Sequence, residues 1–392
     1  MNNKNIAIVI HNLEIGGVQK ALIEFANKLS CKNNVTIFSI KKKGILVELL
    51  SEKIDLIFLD DKTSYYTFVS SSKRKDLTRL SDKTLKLVIK FAQIFRTEFI
   101  LFRLFTRKIE KTFDIAISYT GRPGIWDYIV KSQMVATYKL AWIHNDPYRL
   151  GLNKINIYRY YNKFNHIFNV SYDCMNKLNN LDKRISVKNH VMYNLVNSDL
   201  IHQKALQKEY SFDSNRFNIV TVTRLQVDSK RIDRIVDVCL KLISNGIVNF
   251  CWHIVGDGPY YEQLENDIKL NKIDDFIVLH GFSTNPYSFI YQSDIFCLVS
   301  DYEGLPITLM EAKVLKKPII STNVDSVKEL VENGVNGLIV GKNIEDIYLG
   351  IRKVIENTIF FNELVFNASK FDDFIESNIN YFYNIVEKNY EK

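Results

Sequence analysis

A chain of 392 residues exceeds one ordinary compact core and fits two domains. Hydrophobic residues at 46% and charged residues at 24% are the proportions of a soluble globular protein, which disfavours a disordered, collagen-like or polytopic membrane chain. The net charge of +8 is concentrated: between Lys73 and Lys111 twelve Lys and Arg stand against four Asp and Glu, an excess equal to that of the whole chain. A general nucleic-acid coat is therefore disfavoured, and no nucleic-acid partner is expected, while a local anionic partner stays open.

The N-terminus, MNNKNIAIVI, runs from a short apolar stretch straight into polar HNLEIGG, unlike a signal peptide, and no apolar run reaches the roughly 18 residues of a spanning helix. From there short apolar runs recur, each followed by a helical stretch: IAIVI (6–10), VTIFSI (35–40), LIFL (56–59), IAISY (115–119), KLAWI (139–143) and HIFNVS (166–171). Runs without polar alternation read as parallel strands covered on both faces by crossover helices. After the polar stretch 197–216 the pattern restarts with FNIVTVTRL (217–225), FCWHIVG (250–256), FIVLHGF (276–282), DIFCLVS (294–300) and PIIST (318–322). The expected fold is thus α/β, two doubly wound parallel-sheet lobes over 1–196 and 197–370, with ligands beyond the carboxyl ends of the strands in a cleft between lobes. A C-terminal helix over about 371–392 is expected to pack back onto the first lobe. Five cysteines (Cys31, Cys174, Cys239, Cys251, Cys297) stand singly, so neither a disulfide framework nor a zinc site is indicated, and a reducing cytoplasm is the simpler setting.

Four loops hold residues that could carry chemistry. Glu303-Gly304-Leu305-Pro306-Ile307-Thr308-Leu309-Met310-Glu311 follows a strand and opens a helix, with Pro306 suited to the first turn and the backbone N–H groups there able to hold an anion. Its two carboxylates cannot lie side by side; they hold two parts of an elongated ligand, or they are a dipole-favouring acid and an ordinary helical Glu. Gly16-Gly17 precedes VQKALIEFANKLS, so backbone can approach a phosphate at a helix start, although a Gly pair also makes a simple turn. Arg224 and Lys230 lie six apart at a strand end, where a guanidinium and an ammonium neutralise a diphosphate or form a solvated charge run. Val255-Gly256-Asp257-Gly258-Pro259 marks a strand-to-turn passage and lacks the third Gly of a dinucleotide fingerprint.

In this order the segments IGGVQK, TRLQVDSKR, IVGDGP, LHGF, EGLPITLMEA with its Glu-x7-Glu spacing, KKPIIST and ELVENGVNGLIV resemble the retaining glycosyltransferases of family 4. The resemblance is dense over about 217–342 and thinner over 1–196; Arg231 stands where that family often has Gly, and NVDSVKEL lacks a Gly pair common there. It implies the GT-B fold of two facing Rossmann-like lobes, a nucleotide-sugar donor, preferably UDP-linked, and a glycan or lipid-linked acceptor in cell-surface polysaccharide assembly. Carried over by position, Arg224 and Lys230 bind the donor diphosphate and stabilise it as leaving group, and Gly16 and Gly17 serve the same phosphates. Glu311 holds the ribose hydroxyls, while Glu303 with the amides from Gly304 through Leu305 to Thr308 faces the transferred sugar. Leu309, Gly256, Gly258, His280, Gly281 and Phe282 complete the donor site. His144, in AWIHND, is presented to the sugar or is a loop histidine satisfied by backbone, and Asp146 is an acceptor-side candidate. No cofactor and no metal are expected: the chain has no Asp-x-Asp, and Arg224 and Lys230 can stand in for a cation. An inactive binding relative and a nucleotide-sugar 2-epimerase are the alternatives to transfer.

The basic stretch is expected as a helix over about 78–111, with Val88, Phe91, Phe95, Phe99, Phe102, Phe105 and Ile109 along one face and Lys83, Lys86, Lys90, Arg96, Arg103 and Arg107 across the other. Such a helix lies on an anionic bilayer, placing the protein peripherally on the inner face of the plasma membrane, or packs its aromatic face on the sheet.

Overall fold

A computed structural model describes residues 2–41, 44–59, 108–121, 123–207, 210–370 and 375–387. They form two compact units, one made of Met1–Val170, Cys174–Leu195 and Ser377–Lys392, the other of Ser171–Asp173 and Val196–Glu376.

The first unit holds a seven-stranded parallel sheet. Its strands are β1 (Asn5–Ile10), β2 (Asn34–Ser39), β3 (Asp55–Phe58), β4 (Ile109–Ser118), β5 (Met134–Ile143), β6 (His166–Asn169) and β7 (Asn189–Val191). They lie in the order β3-β2-β1-β4-β5-β6-β7. Ile6 to Ile10 are all buried, as an apolar run covered on both faces requires. An aromatic cluster fills one side: Phe25 of the helix Gly17–Ser30 packs on Tyr119 and Trp142. Phe382 of the helix Ile375–Glu387 closes it, with its ring centroid 5.1 Å from that of Phe25 and 5.6 Å from that of Phe168.

The second unit holds a six-stranded parallel sheet in the order β10-β9-β8-β11-β12-β13. The strands are β8 (Phe217–Val222), β9 (Phe250–Val255), β10 (Ile277–Gly281), β11 (Ile295–Leu298), β12 (Ile319–Thr322) and β13 (Gly337–Val340). Val238 and Leu242 of the helix Arg234–Ser244 share its core with Ile347 and Ile351 of the helix Ile344–Glu356. Both sheets thus have the same winding. In each, strand order reverses beside the first strand, between β1 and β4 and between β8 and β11, where a doubly wound sheet opens a crevice at its carboxyl end.

Sequence reasoning departs from this structure in three places. The helix expected over about 78–111 lies outside the described residues as far as 107, and its last residues are not helical: Ile109–Lys111 open β4. That half of β4 is exposed and polar and slips register between Ile109 and Thr112, so it lacks the apolar run by which buried strands are recognised. β7 and β13, of three and four residues, are too short to show a period.

Candidate active site

In the second unit the loops after β8 and β11 flank the reversal of strand order, and between them they hold Arg224, Lys230 and Glu303. Lys230 does not wait open for a ligand. Its ammonium lies 2.7 Å from both carboxylate oxygens of Glu303, with 24% of the Lys230 side chain and 9% of the Glu303 side chain exposed. The Ser300 hydroxyl donates to the same carboxylate at 2.7 Å, and the Ser326 hydroxyl donates to the Glu303 carbonyl at 3.2 Å. Ser326 belongs to NVDSVKEL, so the segment that departs from the family pattern here fixes the Glu303 loop. Arg224, by contrast, is exposed. The helix Ile307–Val314 follows with no side-chain cap and no acidic residue in its first turn, so its leading N–H groups remain aimed at the loop. Glu311, 1% exposed, and Leu309, fully buried, lie inside this helix, while Gly304 and Leu305 are buried and Thr308 is partly exposed.

The turn after β9 props the Arg224 loop. Gly256 has φ +146° and a Cβ there would fall 1.9 Å from the Thr223 carbonyl oxygen; a Cβ on Gly258 would fall 2.3 Å from that of Leu225. Only glycine lets the two backbones close to hydrogen-bonding distance, with the Leu225 N–H on the Asp257 carbonyl at 3.0 Å and the Tyr260 N–H on the Leu225 carbonyl at 3.1 Å. Gly256 and Gly258 therefore act first on protein backbone. His280 is likewise engaged inside the unit, its Nε2 2.9 Å from Nδ1 of His253, whose other nitrogen meets Asn218 at 3.1 Å. Burial and then the neighbouring His280 push His253 down to about 3, and burial pushes His280 down to about 4, so both rings are neutral at pH 7. Gly281 turns at φ +67°, and Phe282 is 48% exposed.

The corresponding loops of the first unit are built differently. Gly16, extended at φ −179°, leads into the helix Gly17–Ser30, which also starts without a side-chain cap or an acidic residue. Gln19 donates to Asn12 at 2.8 Å and Asn12 to Glu14 at 2.9 Å, an uncharged lattice around that start apart from Glu14. His144 follows β5 and is 5% exposed. Its ring lies 4.6 Å from that of Tyr119, and Gly121, at φ +63°, passes so close that a Cβ would fall 2.5 Å from the His144 backbone nitrogen. Burial, opposed by Asn194, pushes the imidazole down to about 3, so it offers hydrogen bonds and no charge. Asp146 is taken up locally: one oxygen accepts from the Tyr148 N–H at 2.8 Å, the other from the Lys177 ammonium at 2.7 Å.

Sequence reasoning missed Ser300 and Ser326, which bond Glu303, and Asp301, whose carboxylate pairs with Arg234 at 2.6 Å. Asp301 and Ser300 sit beside Glu303 in the sequence, which is the signal that could have found them; Ser326 and Arg234 come near only through the fold.

Residues 202–371 match the family model of the glycosyl transferases group 1. The putative colanic acid biosynthesis glycosyltransferase WcaL of Salmonella typhimurium is 32% identical over 133 residues, 32% of this chain and 32% of that one. The poly(ribitol-phosphate) alpha-N-acetylglucosaminyltransferase of Staphylococcus aureus is 26% identical over 140 residues, 34% of this chain and 28% of that one. The chain therefore spans about a third of the length of these curated relatives. Among solved structures, Anabaena Alr3699/HepE in complex with UDP and glucose aligns with a TM-score of 0.71 and 15% identity over 98% of this chain and 100% of that one, a likeness of fold. Residues 202–371 thus carry the likeness to the group 1 glycosyltransferases, and the two parallel sheets are those of the GT-B fold.

Proposed function

We propose that the protein is a retaining glycosyltransferase that moves a sugar from a nucleotide diphosphate donor, UDP-linked, onto a glycan or lipid-linked acceptor in cell-surface polysaccharide assembly. The observation that carries this reading is the Lys230–Glu303 pair, set beside exposed Arg224 and an uncapped helix start where the second sheet reverses its strand order. The group 1 match over the same residues and the UDP in the HepE complex support it.

In this reading a diphosphate, with more than one negative charge, draws the Lys230 ammonium from Glu303 and meets the Arg224 guanidinium on its other side. Breaking the sugar–phosphate bond moves an electron pair onto the phosphate oxygen, and the two cations stabilise that charge as it develops. Released from Lys230, the Glu303 carboxylate can accept hydrogen bonds from the sugar hydroxyls, aided by the amides from Gly304 to Thr308. Glu311 is assigned to the ribose hydroxyls, Gly17 to the phosphates, and neutral His144 to a hydrogen bond on the transferred sugar. The acceptor hydroxyl attacks on the face the phosphate leaves and gives its proton to the phosphate. Because Arg224 and Lys230 supply the positive charge, we expect activity to survive EDTA.

Screening UDP-, GDP- and ADP-sugars for thermal stabilisation and slow donor hydrolysis tests the reading: stabilisation by UDP-sugars is expected, and no response to any nucleotide sugar overturns it. The basic segment over about 78–111 is proposed to hold the protein on the anionic inner face of the plasma membrane. Sedimentation with anionic but not neutral vesicles, falling with salt, is the expected result.

A further inference from the structure

Arg231, next to Lys230, lies in the left-handed backbone region at φ +47°. A side chain there costs roughly 1 kcal/mol or more and persists only where its surroundings over-determine it. Here they do. All three guanidinium nitrogens are engaged: Nε and Nη2 donate to Asp233 at 3.1 and 2.8 Å, and Nη1 donates to Asp301 at 3.2 Å. The other Asp301 oxygen accepts from Arg234 at 2.6 Å, and Arg234, with 7% of its side chain exposed, also donates to the Val299 carbonyl at 2.7 Å. Burial alone would raise the Asp301 carboxyl, but the bonds from Arg234 and Arg231 hold it below its ordinary value, so it stays ionised.

The loops after β8 and β11 therefore meet at three successive residues. The Ser229 carbonyl accepts from the Asp301 N–H at 2.8 Å, Lys230 pairs with Glu303, and Arg231 pairs with Asp301. Lys342, beyond β13, adds a bond to the Asp301 carbonyl at 2.6 Å. Each of the three guanidinium nitrogens of Arg231 thus spends an N–H inside the protein, on Asp233 or Asp301.

We propose that Arg231 is a positioning residue: clamped by Asp233 and Asp301, it holds the backbone of Lys230 against the loop of Glu303 and so sets where the ammonium meets a diphosphate. The proposal deepens the nucleotide-sugar reading and rests on it for its binding arm.

Arg231→Gly is the informative variant, because glycine adopts φ +47° without strain and the fold is kept while the clamp is lost. With the full chain and UDP as probe, calorimetry is expected to show binding weakened about tenfold in Arg231→Gly, partly restored in Arg231→Lys, and no further weakening when Arg231→Gly is added to Lys230→Ala. Equal weakening with and without Lys230 would show that Arg231 does not act through it and overturns the proposal, as does unchanged UDP affinity. Amide hydrogen exchange read in parallel needs no nucleotide: faster exchange over 226–231 and 299–304 in Arg231→Gly is expected, and wild-type exchange in both loops overturns the clamp. If the wild type binds none of UDP, GDP or ADP, the nucleotide reading fails, and hydrogen exchange still decides the clamp by itself.

Discussion

The two sheets wind alike, yet the loops at their strand-order reversals hold different chemistry. After β8 and β11 the chain crosses the reversal with ion pairs, Lys230 on Glu303 and Arg231 and Arg234 on Asp301. After β1, β4 and β5 it offers glycine backbone, amide side chains and a neutral imidazole. Topology fixes where a ligand can sit on each sheet, and loop residues decide what chemistry that place offers. The ion pairs of the second unit are of the kind that can meet an anion; the loops of the first unit, Glu14 aside, offer mainly hydrogen bonds.

The largest effect should come from removing a cation on the charged side. Lys230→Ala or Arg224→Ala should raise the barrier to transfer by about 2.7–4 kcal/mol. The two differ in a second respect: Lys230→Ala leaves Glu303 without its ammonium in a nearly buried place, so its melting point should also fall, while exposed Arg224 can go without loss of stability. Melting curves beside kinetics separate them, and near-normal turnover in both variants would remove the leaving-group site.

Next comes the backbone that aims Arg224. Gly256→Ala puts a methyl 1.9 Å from the Thr223 oxygen at φ +146°, and a loss of roughly 2–3 kcal/mol in stability is expected from strain and overpacking together. A urea midpoint equal to the wild type's would mean that the turn can move aside.

A third test concerns the neutral rings. His11, His144, His166, His190, His253 and His280 all have lowered values, burial being the first cause in each, and His253 falls to about 3. The unfolded chain takes up protons as pH drops below about 6.5, and the folded rings follow only at lower pH, near 3 for His144 and His253 and near 4 for His11, His190 and His280. Stability is therefore complete above pH 6.5 and lost as pH falls, by about 2–3 kcal/mol near pH 4.5 for His253 alone. Melting temperatures that stay level from pH 7.5 to 4.5 contradict neutral buried histidines.

The smallest effect is also the least intuitive. Glu303→Gln should lower turnover yet tighten UDP binding several-fold, because the amide no longer competes for the Lys230 ammonium; roughly 1 kcal/mol is at stake for a partly exposed pair. Glu311→Ala should act the other way, weakening donor binding with a smaller change in turnover. Titration of UDP into both variants decides, and weaker UDP binding in Glu303→Gln would show that the carboxylate organises the phosphate site instead of competing for it.

Much of the architecture was legible because buried parallel strands leave unbroken apolar runs: β1 and β9 stand within a residue of where IAIVI and FCWHIVG place them, and β8 starts with FNIVTVTRL but ends at Val222, before its polar tail. The exposed outer half of β4 left no such trace. For the candidate site, the sequence order was enough to put Arg224, Lys230 and Glu303 in the loops after β8 and β11 and Glu311 in the helix that follows, but their pairings were illegible. Nothing in the spacing of Lys230 and Glu303, 73 positions apart, says that they touch; that follows from β8 and β11 being neighbours in the sheet. The same holds for Arg231, which in sequence looks like a misplaced glycine and in the fold is bound on two sides.

The path of the chain also bears on its biosynthesis. The second unit is inserted between two parts of the first, and Phe382, buried against Phe25, Trp142 and Phe168, belongs to the part of the first unit that is made after the second. On a ribosome the second unit can complete its sheet as soon as its own strands emerge, whereas the first emerges early and keeps an aromatic surface uncovered until Phe382 follows the whole second unit out. A nascent chain stalled before residue 375 should therefore carry a finished second unit and a first unit that draws chaperones, the reverse of the order in which the two began to be made.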